Sequence, residues 1–142
     1  NPEAKMSKSG DSPQGILWLL DEPSLITKKI KSAVTDTDSE IRFDPEHKPG
    51  VSNLLSLASL ATGKTLNALE EEFQGSGYGN LKSSVAEAVV ELLVPIRAKT
   101  QDLLGDPAEL DRMLAKGAEK AERMASATLS AVHDAVGLLP RA

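Results

Sequence analysis

The stretch VSNLLSLASLATGKTLNALEEEF, residues 51–73, decides the fold because apolar residues recur at helical spacing on both sides of one breaker. Five apolar residues of its first half lie one, three or four positions apart: Val51, Leu54, Leu55, Ala58 and Ala61. Their spacing predicts a helix that Gly63 can end. Leu66, Leu69 and Phe73 predict a second, shorter helix. Two amphipathic helices joined at a glycine are typical of an α-helical bundle.

Helical spacing continues upstream of this stretch. Residues Ile26, Ile30, Ala33 and Val34 predict a helix from Ser24 onward. We expect three lysines of this helix, Lys28, Lys29 and Lys31, to lie on its solvated faces. The apolar run at residues 16–20 is too short to distinguish strand from helix, and we interpret it as a short extended or turn segment. The polar residues 35–50 predict a loop, since prolines and a glycine interrupt them.

Two longer helices are predicted downstream. Apolar residues from Leu81 to Ile96 indicate a helix kinked at Pro95, preceded by a flexible, glycine-rich connection at residues 74–80. Asp106 is expected to cap the last helix, with Pro107 at its first position and Glu109 reaching back to the N–H of the cap. An apolar stripe then runs through Leu110, Leu114, Ala118, Ala121, Ala125, Leu129, Val132 and Val136, although Gly117 could divide it. The predicted fold class is all-α, because no alternating strand pattern or repeat is visible.

Composition excludes several classes of protein. The 142 residues contain no cysteine, so disulfides and thiolate metal sites are impossible, and with two histidines we expect no metal site. A net charge of -5 argues against nucleic-acid binding through the overall field of the chain. The aromatic residues make up only 3% of the sequence, too few for a stacking platform. No apolar run is long enough to span a bilayer, and we expect a cytoplasmic protein without a membrane partner.

A short basic loop opens the chain. The string Lys5-Met6-Ser7-Lys8-Ser9, the KMSKS loop, places two lysines three positions apart with hydroxyls and backbone N–H groups between them. Such a loop can close around a triphosphate. A solvated linker or a basic tail is the alternative that composition alone favours.

A row of cations forms a second candidate site. Its members are spaced by four, four and three positions along one side of the last helix: Arg112, Lys116, Lys120 and Arg123. The alternative is an ordinary solvated face, because four acidic residues lie within pairing reach of this row: Glu109, Asp111, Glu119 and Glu122.

The order of the residues resembles a known family. The string of residues 5–9 matches the signature loop of class I aminoacyl-tRNA synthetases. Further strings, AVTD at 33–36, KPGVSNLL at 48–55, GSGYGNLK at 75–82 and the ending GLLPRA, resemble the C-terminal part of bacterial-type tryptophanyl-tRNA synthetases over nearly the whole chain. Tyrosyl-tRNA synthetase is the nearest confusable relative.

The resemblance implies a role for each loop residue. Lys8, helped by Lys5, would contact the leaving pyrophosphate of ATP, and Met6 would position the adenine through its backbone. Ser7 and Ser9 would add hydrogen bonds, with Mg²⁺ sharing the charge and no prosthetic group required. The implied domains are residues 1–23, a mobile loop and linker from the catalytic domain, and residues 24–142, a helical domain that binds the tRNA anticodon.

The resemblance also implies parts that these residues do not supply. His47 precedes Lys48 and His133 precedes Asp134, so neither belongs to a His-Ile-Gly-His motif. We therefore expect a longer parent protein whose Rossmann-like domain binds ATP and L-tryptophan. This parent protein is expected to act on tRNA(Trp) as a homodimer. The segment alone is expected to be inactive. A stand-alone helical module that binds RNA or another protein remains the alternative from a different functional class.

Overall fold

The computed structural model describes residues 13–137, and this part of the chain contains helices and no β-strand. A 3-10 turn at Pro13–Gly15 comes first. The α-helices of the described residues are α1 (Pro23–Lys31), α2 (Pro49–Thr62), α3 (Leu66–Glu72), α4 (Gly77–Gly105) and α5 (Pro107–Val136). The predicted all-α fold class is thereby confirmed for residues 13–137. The described residues up to Ala98 form one compact unit, and those from Lys99 onward form another.

Capping residues set the ends of several helices where the sequence predicted them. Gly63 ends α2 with a left-handed φ of 74°, and its N–H donates to the carbonyl of Ser59. Glycine suits this position because a side chain is strained at positive φ. Thr65 then begins α3, since its hydroxyl accepts from the N–H of Ala68.

The start of α5 confirms one half of the predicted capping arrangement. The Asp106 carboxylate accepts a hydrogen bond of 3.0 Å from the N–H of Glu109. The reciprocal half was wrong, because the N–H of Asp106 donates to the carbonyl of Leu103 instead. The Glu109 carboxylate pairs with Arg112, one helical turn further along. An ion pair with a cation has taken the place of the second cap bond.

The core of the first unit is built from apolar residues of α1, α2, α3 and α4. Val51, Leu55 and Leu81 are completely buried. Each fully buried side chain of this size contributes about 1.5–3 kcal/mol to folding. The remaining core residues are Ile26, Ile30, Ile41, Leu54, Ala58, Leu69, Phe73, Val85, Ala86, Val89 and Leu93. The residues that the helical spacing placed on the inner faces of α2 and α3 are therefore mostly the residues that pack together.

Helix boundaries differ from the predictions at three places. α1 ends at Lys31, so Val34 is not on its inner face and is 74% exposed. α4 begins at Gly77, inside the stretch predicted as a flexible connection, and runs past Pro95 to Gly105. Gly117 lies within an unbroken α5 and does not divide it. At Gly77 and Gly117 the neighbouring helical segment outweighs the preference of a single glycine.

The second unit contains the last residues of α4 and all of α5. No described residue of α5 is buried, although the predicted apolar stripe runs along it. Leu114, Leu129 and Val136 are each more than half exposed. The 3.6-residue period predicted the helix correctly, but a period alone does not determine what covers its apolar side.

Candidate functional site

The KMSKS loop, residues Lys5, Met6, Ser7, Lys8 and Ser9, lies outside the described residues. The structure begins a few residues later with the segment that leads into α1, and we call residues 16–22 the anchor segment. The anchor segment contains a turn in which the N–H of Asp21 donates to the carbonyl of Trp18 over 3.1 Å. The N–H of Trp18 donates in return to Asp21 Oδ2, also over 3.1 Å. The extended or turn conformation predicted for this apolar stretch is confirmed.

Lys29 joins the anchor segment to α1. Its side chain is 95% buried, and its ammonium donates to the Ile16 carbonyl at 2.7 Å and to Asp21 Oδ2 at 2.6 Å. The prediction that Lys29 lies on a solvated face was therefore wrong, whereas Lys28 and Lys31 are exposed as expected. The sequence did hold a signal, because Lys29 follows Ile26 by three positions and so lies on the inner stripe of the helix.

The Asp21 carboxylate is held in its charged form by these contacts. Burial by itself raises the pKa of Asp21, but hydrogen bonds from Lys29 and from the Trp18 N–H, together with the positive charge of Lys29, lower that pKa below its ordinary value. The Asp21 carboxylate is therefore ionised at neutral pH.

Arg97 of α4 holds the other end of the anchor segment. Its Nε donates to the carbonyl of Leu20 at 3.4 Å, and its guanidinium pairs with the carboxylate of Glu22, the residue before α1. Two helices of the first unit thus contact the anchor segment through cationic side chains.

A second buried lysine organises the loop between α1 and α2. Lys48, which the sequence did not single out as a contact residue, is 3% exposed and lies directly before α2. Its ammonium donates to Asp38 Oδ2 at 2.9 Å, to Asp36 Oδ1 at 3.3 Å and to the Tyr78 hydroxyl at 3.1 Å. The Tyr78 hydroxyl donates in turn to Asp36 Oδ1. These four residues, the Lys48 cluster, connect the loop to the first turn of α4.

The charges of the Lys48 cluster stabilise one another. The hydrogen bond from Lys48, with two from backbone N–H groups, lowers the pKa of Asp38 to about 2. Burial would lower the pKa of Lys48, yet hydrogen bonds with Asp38, Tyr78 and Asp36 raise it above its ordinary value. Tyr78 packs against the core, and burial together with Asp36 raises the pKa of its hydroxyl. The cluster is therefore ionic at neutral pH and fixes the loop.

Gly50 allows this loop to approach α2 closely. A Cβ atom on Gly50 would lie 2.2 Å from the carbonyl oxygen of Val34, far inside van der Waals contact. Val34 and Asp36 belong to the AVTD string, and Lys48 and Gly50 belong to the KPGVSNLL string. The structure thus places these two strings against each other.

The predicted cation row lies on α5, and all four of its residues are exposed. Because α5 is unbroken, the side chains of Arg112, Lys116, Lys120 and Arg123 project within an arc of about 80°. The row extends along about 16 Å of the helix, at 1.5 Å per residue. By the same geometry, the apolar stripe of α5 lies on roughly the opposite side of the helix from the cation row.

Ion pairing leaves most of this row available. Arg112 pairs with Glu109 at 2.6 Å. Between residues 13 and 137, no ion pair involves Lys116, Lys120 or Arg123, although Glu119 and Glu122 lie beside Arg123 at a shallow open depression. The acidic neighbours thus compensate the row only in part.

Metal sites and membrane-spanning helices are two further classes of feature that the described residues could have carried. Across residues 13–137, no group of three or more His, Asp or Glu side chains is arranged to hold a metal ion. Within the same residues, no helix is both long and apolar enough to cross a membrane.

The KMSKS string, together with the AVTD and KPGVSNLL strings that the structure brings into contact, points to the class I aminoacyl-tRNA synthetases. The family described as tRNA synthetases class I (W and Y) matches residues 1–94, and the chain belongs to this family. This match confirms the class I resemblance.

Two relatives with similar sequences are both named as tryptophan–tRNA ligases. The chain is 54% identical over 140 residues to tryptophan–tRNA ligase 2 of Streptomyces avermitilis, covering 99% of this chain and 42% of that protein. It is 52% identical over 139 residues to tryptophan–tRNA ligase of Corynebacterium glutamicum, covering 98% of this chain and 40% of the relative. The chain spans about two fifths of the length of these relatives.

A solved structure shares the fold. The crystal structure of tryptophanyl-tRNA synthetase from Mycoplasma pneumoniae matches with a TM-score of 0.85 and 32% identity, covering 99% of this chain and 44% of that one. The helical arrangement is therefore that of part of a tryptophanyl-tRNA synthetase.

Proposed function

We propose that this chain is the part of a tryptophan–tRNA ligase that supplies the ATP-closing loop and the tRNA-binding helices. The observation that carries the proposal is the 54% identity to a tryptophan–tRNA ligase over 99% of the chain. The family description includes both the tryptophan and the tyrosine enzymes, but the relatives named above are all tryptophan ligases. A tyrosyl-type enzyme is for that reason the weaker candidate.

The proposed reaction has two steps in the whole protein. The tryptophan carboxylate attacks the α-phosphate of ATP and pyrophosphate leaves, forming an adenylate. The aminoacyl group then passes to the terminal ribose of tRNA(Trp), and AMP leaves.

The KMSKS loop acts in the first step. Lys8 and Lys5 neutralise the negative charge that grows on the pyrophosphate as its bond to the α-phosphate breaks. Lysine suits this task because its compact ammonium can follow the moving charge. Met6 positions the adenine through its backbone, while Ser7 and Ser9 donate hydrogen bonds to ATP. Mg²⁺ shares the phosphate charge when it accompanies ATP.

The remaining parts of the reaction belong to the rest of the protein. Because the chain spans about two fifths of its relatives, we place the ATP and tryptophan pockets in the other three fifths. Residues 1–23 would then be the loop and linker from the catalytic domain, and residues 24–142 the anticodon-binding domain. The whole protein is proposed to work as a cytoplasmic homodimer.

The experiment that tests this function is amino-acid-dependent exchange of pyrophosphate into ATP by the full-length protein. We expect exchange with tryptophan and none above background with tyrosine, followed by charging of tRNA(Trp). Exchange with tyrosine alone would assign the chain to the tyrosyl enzymes. No exchange with any amino acid, combined with RNA binding, would support the stand-alone helical module.

The cation row of α5 is proposed to contact the tRNA backbone. Three ammonium or guanidinium groups without ion-pair partners in the described structure, spread over about 10 Å of one helix side, can reach two or three successive phosphates. The exposed position of the row supports this role.

Replacing three members of the row is expected to weaken tRNA binding. The triple variant Lys116→Ala, Lys120→Ala and Arg123→Ala should make the negative slope of log binding constant against log salt shallower by about 2–3, since each phosphate contact contributes about 0.7–0.9 to its magnitude. Filter binding of tRNA(Trp) at several salt concentrations measures this slope.

A matched control separates local contact from overall charge. The control variant removes the same number of charges elsewhere, at Lys28, Lys31 and Lys64, and should leave the slope nearly unchanged. Equal losses in both variants would mean that only net charge matters. No loss in the α5 variant would show that the row is an ordinary solvated face.

A further inference from the structure

We infer that the contact of Arg97 with Glu22 and Leu20, the Arg97 latch, compensates for Pro95 in the interior of α4 and opens when salt screens it. The latch joins the end of α4 that lies in the first unit to the anchor segment of the same unit. This role is independent of the proposed function, since it requires neither ATP nor tRNA.

Pro95 weakens α4 at the point where it lies. A proline has no N–H to donate to the carbonyl four residues earlier, here that of Glu91, and its ring crowds the same carbonyl. Sharp kinks in helices are usually found at such residues. α4 nevertheless continues from Pro95 to Gly105. The residues after the proline must therefore be stabilised by contacts outside their own backbone ladder.

Apolar packing contributes little to this part of α4. Leu93 is the last buried residue of the helix, at 8% exposure. None of residues 94–105 is buried, and the exposed fractions of Val94 and Ile96 are 47% and 43%. A segment with few buried apolar contacts opens locally at low free energy. The turn after Pro95 is thus less stabilised by the core than the turns before it.

Arg97 attaches this turn to groups that are themselves fixed. Its guanidinium pairs with the Glu22 carboxylate, and its Nε donates to the Leu20 carbonyl at 3.4 Å. The carbonyl of Glu22 accepts from the N–H of Ile26 at 3.0 Å, so Glu22 is held at the start of α1. Asp21, between the two partners of Arg97, is held by the buried lysine of α1. The latch therefore joins the turn after the proline to an ordered surface.

The exposure of the latch makes it easy to open. The Glu22 side chain is 64% exposed, and the Arg97 side chain is 22% exposed. Ion pairs between exposed groups are weak, and dissolved salt screens them. The order of α4 after Pro95 should therefore depend on ionic strength, whereas the buried core of the first unit should not.

The test measures amide hydrogen exchange of the peptide that covers residues 94–102 in the full-length protein. Arg97→Gln removes the charge and keeps nearly the same helix propensity. Exchange should become about two- to fivefold faster than in the parent, the range expected for loss of an exposed ion pair. In the Pro95→Ala background, which restores the N–H that can donate to Glu91, the same substitution should change exchange by less than about 1.5-fold.

A charge-matched control and a salt series complete the test. Lys64→Gln removes one member of an exposed ion pair outside α4, Lys64 with Glu72, and should leave exchange of residues 94–102 at the parental rate. Raising salt from about 0.1 M to about 1 M shortens the Debye length from about 10 Å to about 3 Å. Relative to peptides of α2, this should bring exchange in the parent toward that of Arg97→Gln and should not change Arg97→Gln itself.

Four results would contradict the Arg97 latch. Parental exchange in Arg97→Gln would show that the ion pair adds no order to α4. Equal acceleration with and without Pro95→Ala would show that the contact has no connection with the proline. Equal acceleration of peptides from α2 and α3 would show that Arg97 stabilises the whole unit rather than one turn. Exchange in the parent that does not respond to salt would show that the latch does not open.

Discussion

Replacement of Lys8 by alanine in the full-length protein is expected to slow tryptophan-dependent pyrophosphate exchange by about 10²–10³-fold. This magnitude is typical for loss of one group aimed at charge that develops in a transition state. In adenylate formation that charge develops on the departing pyrophosphate, where the loop ammonium is proposed to bind. The loss should fall mainly on kcat, because the charge on the leaving group is greatest in the transition state.

Two measurements make this expectation specific to the loop. The KM for tryptophan should stay within a factor of about two, since the loop is proposed to bind ATP, the other substrate. The variant Lys31→Ala removes an exposed lysine of α1 and should exchange as fast as the parent. Parental exchange by Lys8→Ala would leave the family assignment intact and refute the role of the loop.

The sequence predicted the helices well where the apolar spacing and the cap agreed. In α2 the spacing of Val51, Leu54 and Leu55 and the breaker at Gly63 point to the same boundaries, and the structure has a helix there. The Asp106 cap of α5 was predictable for the same reason. Local chemistry decides such features, so no knowledge of distant residues is needed.

The contacts of the two buried lysines could not be predicted in this way. Lys29 binds Ile16, thirteen residues away, and Lys48 binds Tyr78, thirty residues away. A charged residue on a helix is usually solvated, and only the packing of α1 against the anchor segment reverses this preference. The resemblance predicted a KMSKS loop, but it gave no reason to expect the side-chain contacts of residues 16–22 with α1 and α4.

The second large effect concerns Gly50. Alanine at this position is expected to destabilise the first unit by about 2–3 kcal/mol, the usual cost of forcing an additional carbon into a packed site. The new Cβ would lie 2.2 Å from the Val34 carbonyl oxygen and 3.2 Å from the Thr35 Cα. Both are backbone atoms, so no side-chain rotation relieves the contact. The residue has no positive φ, and the cost is therefore steric rather than conformational.

The clash should also disturb the Lys48 cluster, because displacing Val34 and Thr35 moves Asp36 away from the Lys48 ammonium. Urea unfolding of the chain, followed by circular dichroism and by the fluorescence of its single tryptophan, Trp18, measures the expected loss. Gly79→Ala is the matched control, since Gly79 lies in α4 with open space around its Cβ position. Alanine there should be neutral or stabilise by up to about 1 kcal/mol. Equal urea midpoints for Gly50→Ala and the parent would contradict the prediction. They would show that the AVTD string can move away from Gly50 without a loss of unfolding free energy, so that the close approach of the two strings contributes little to the stability of the fold.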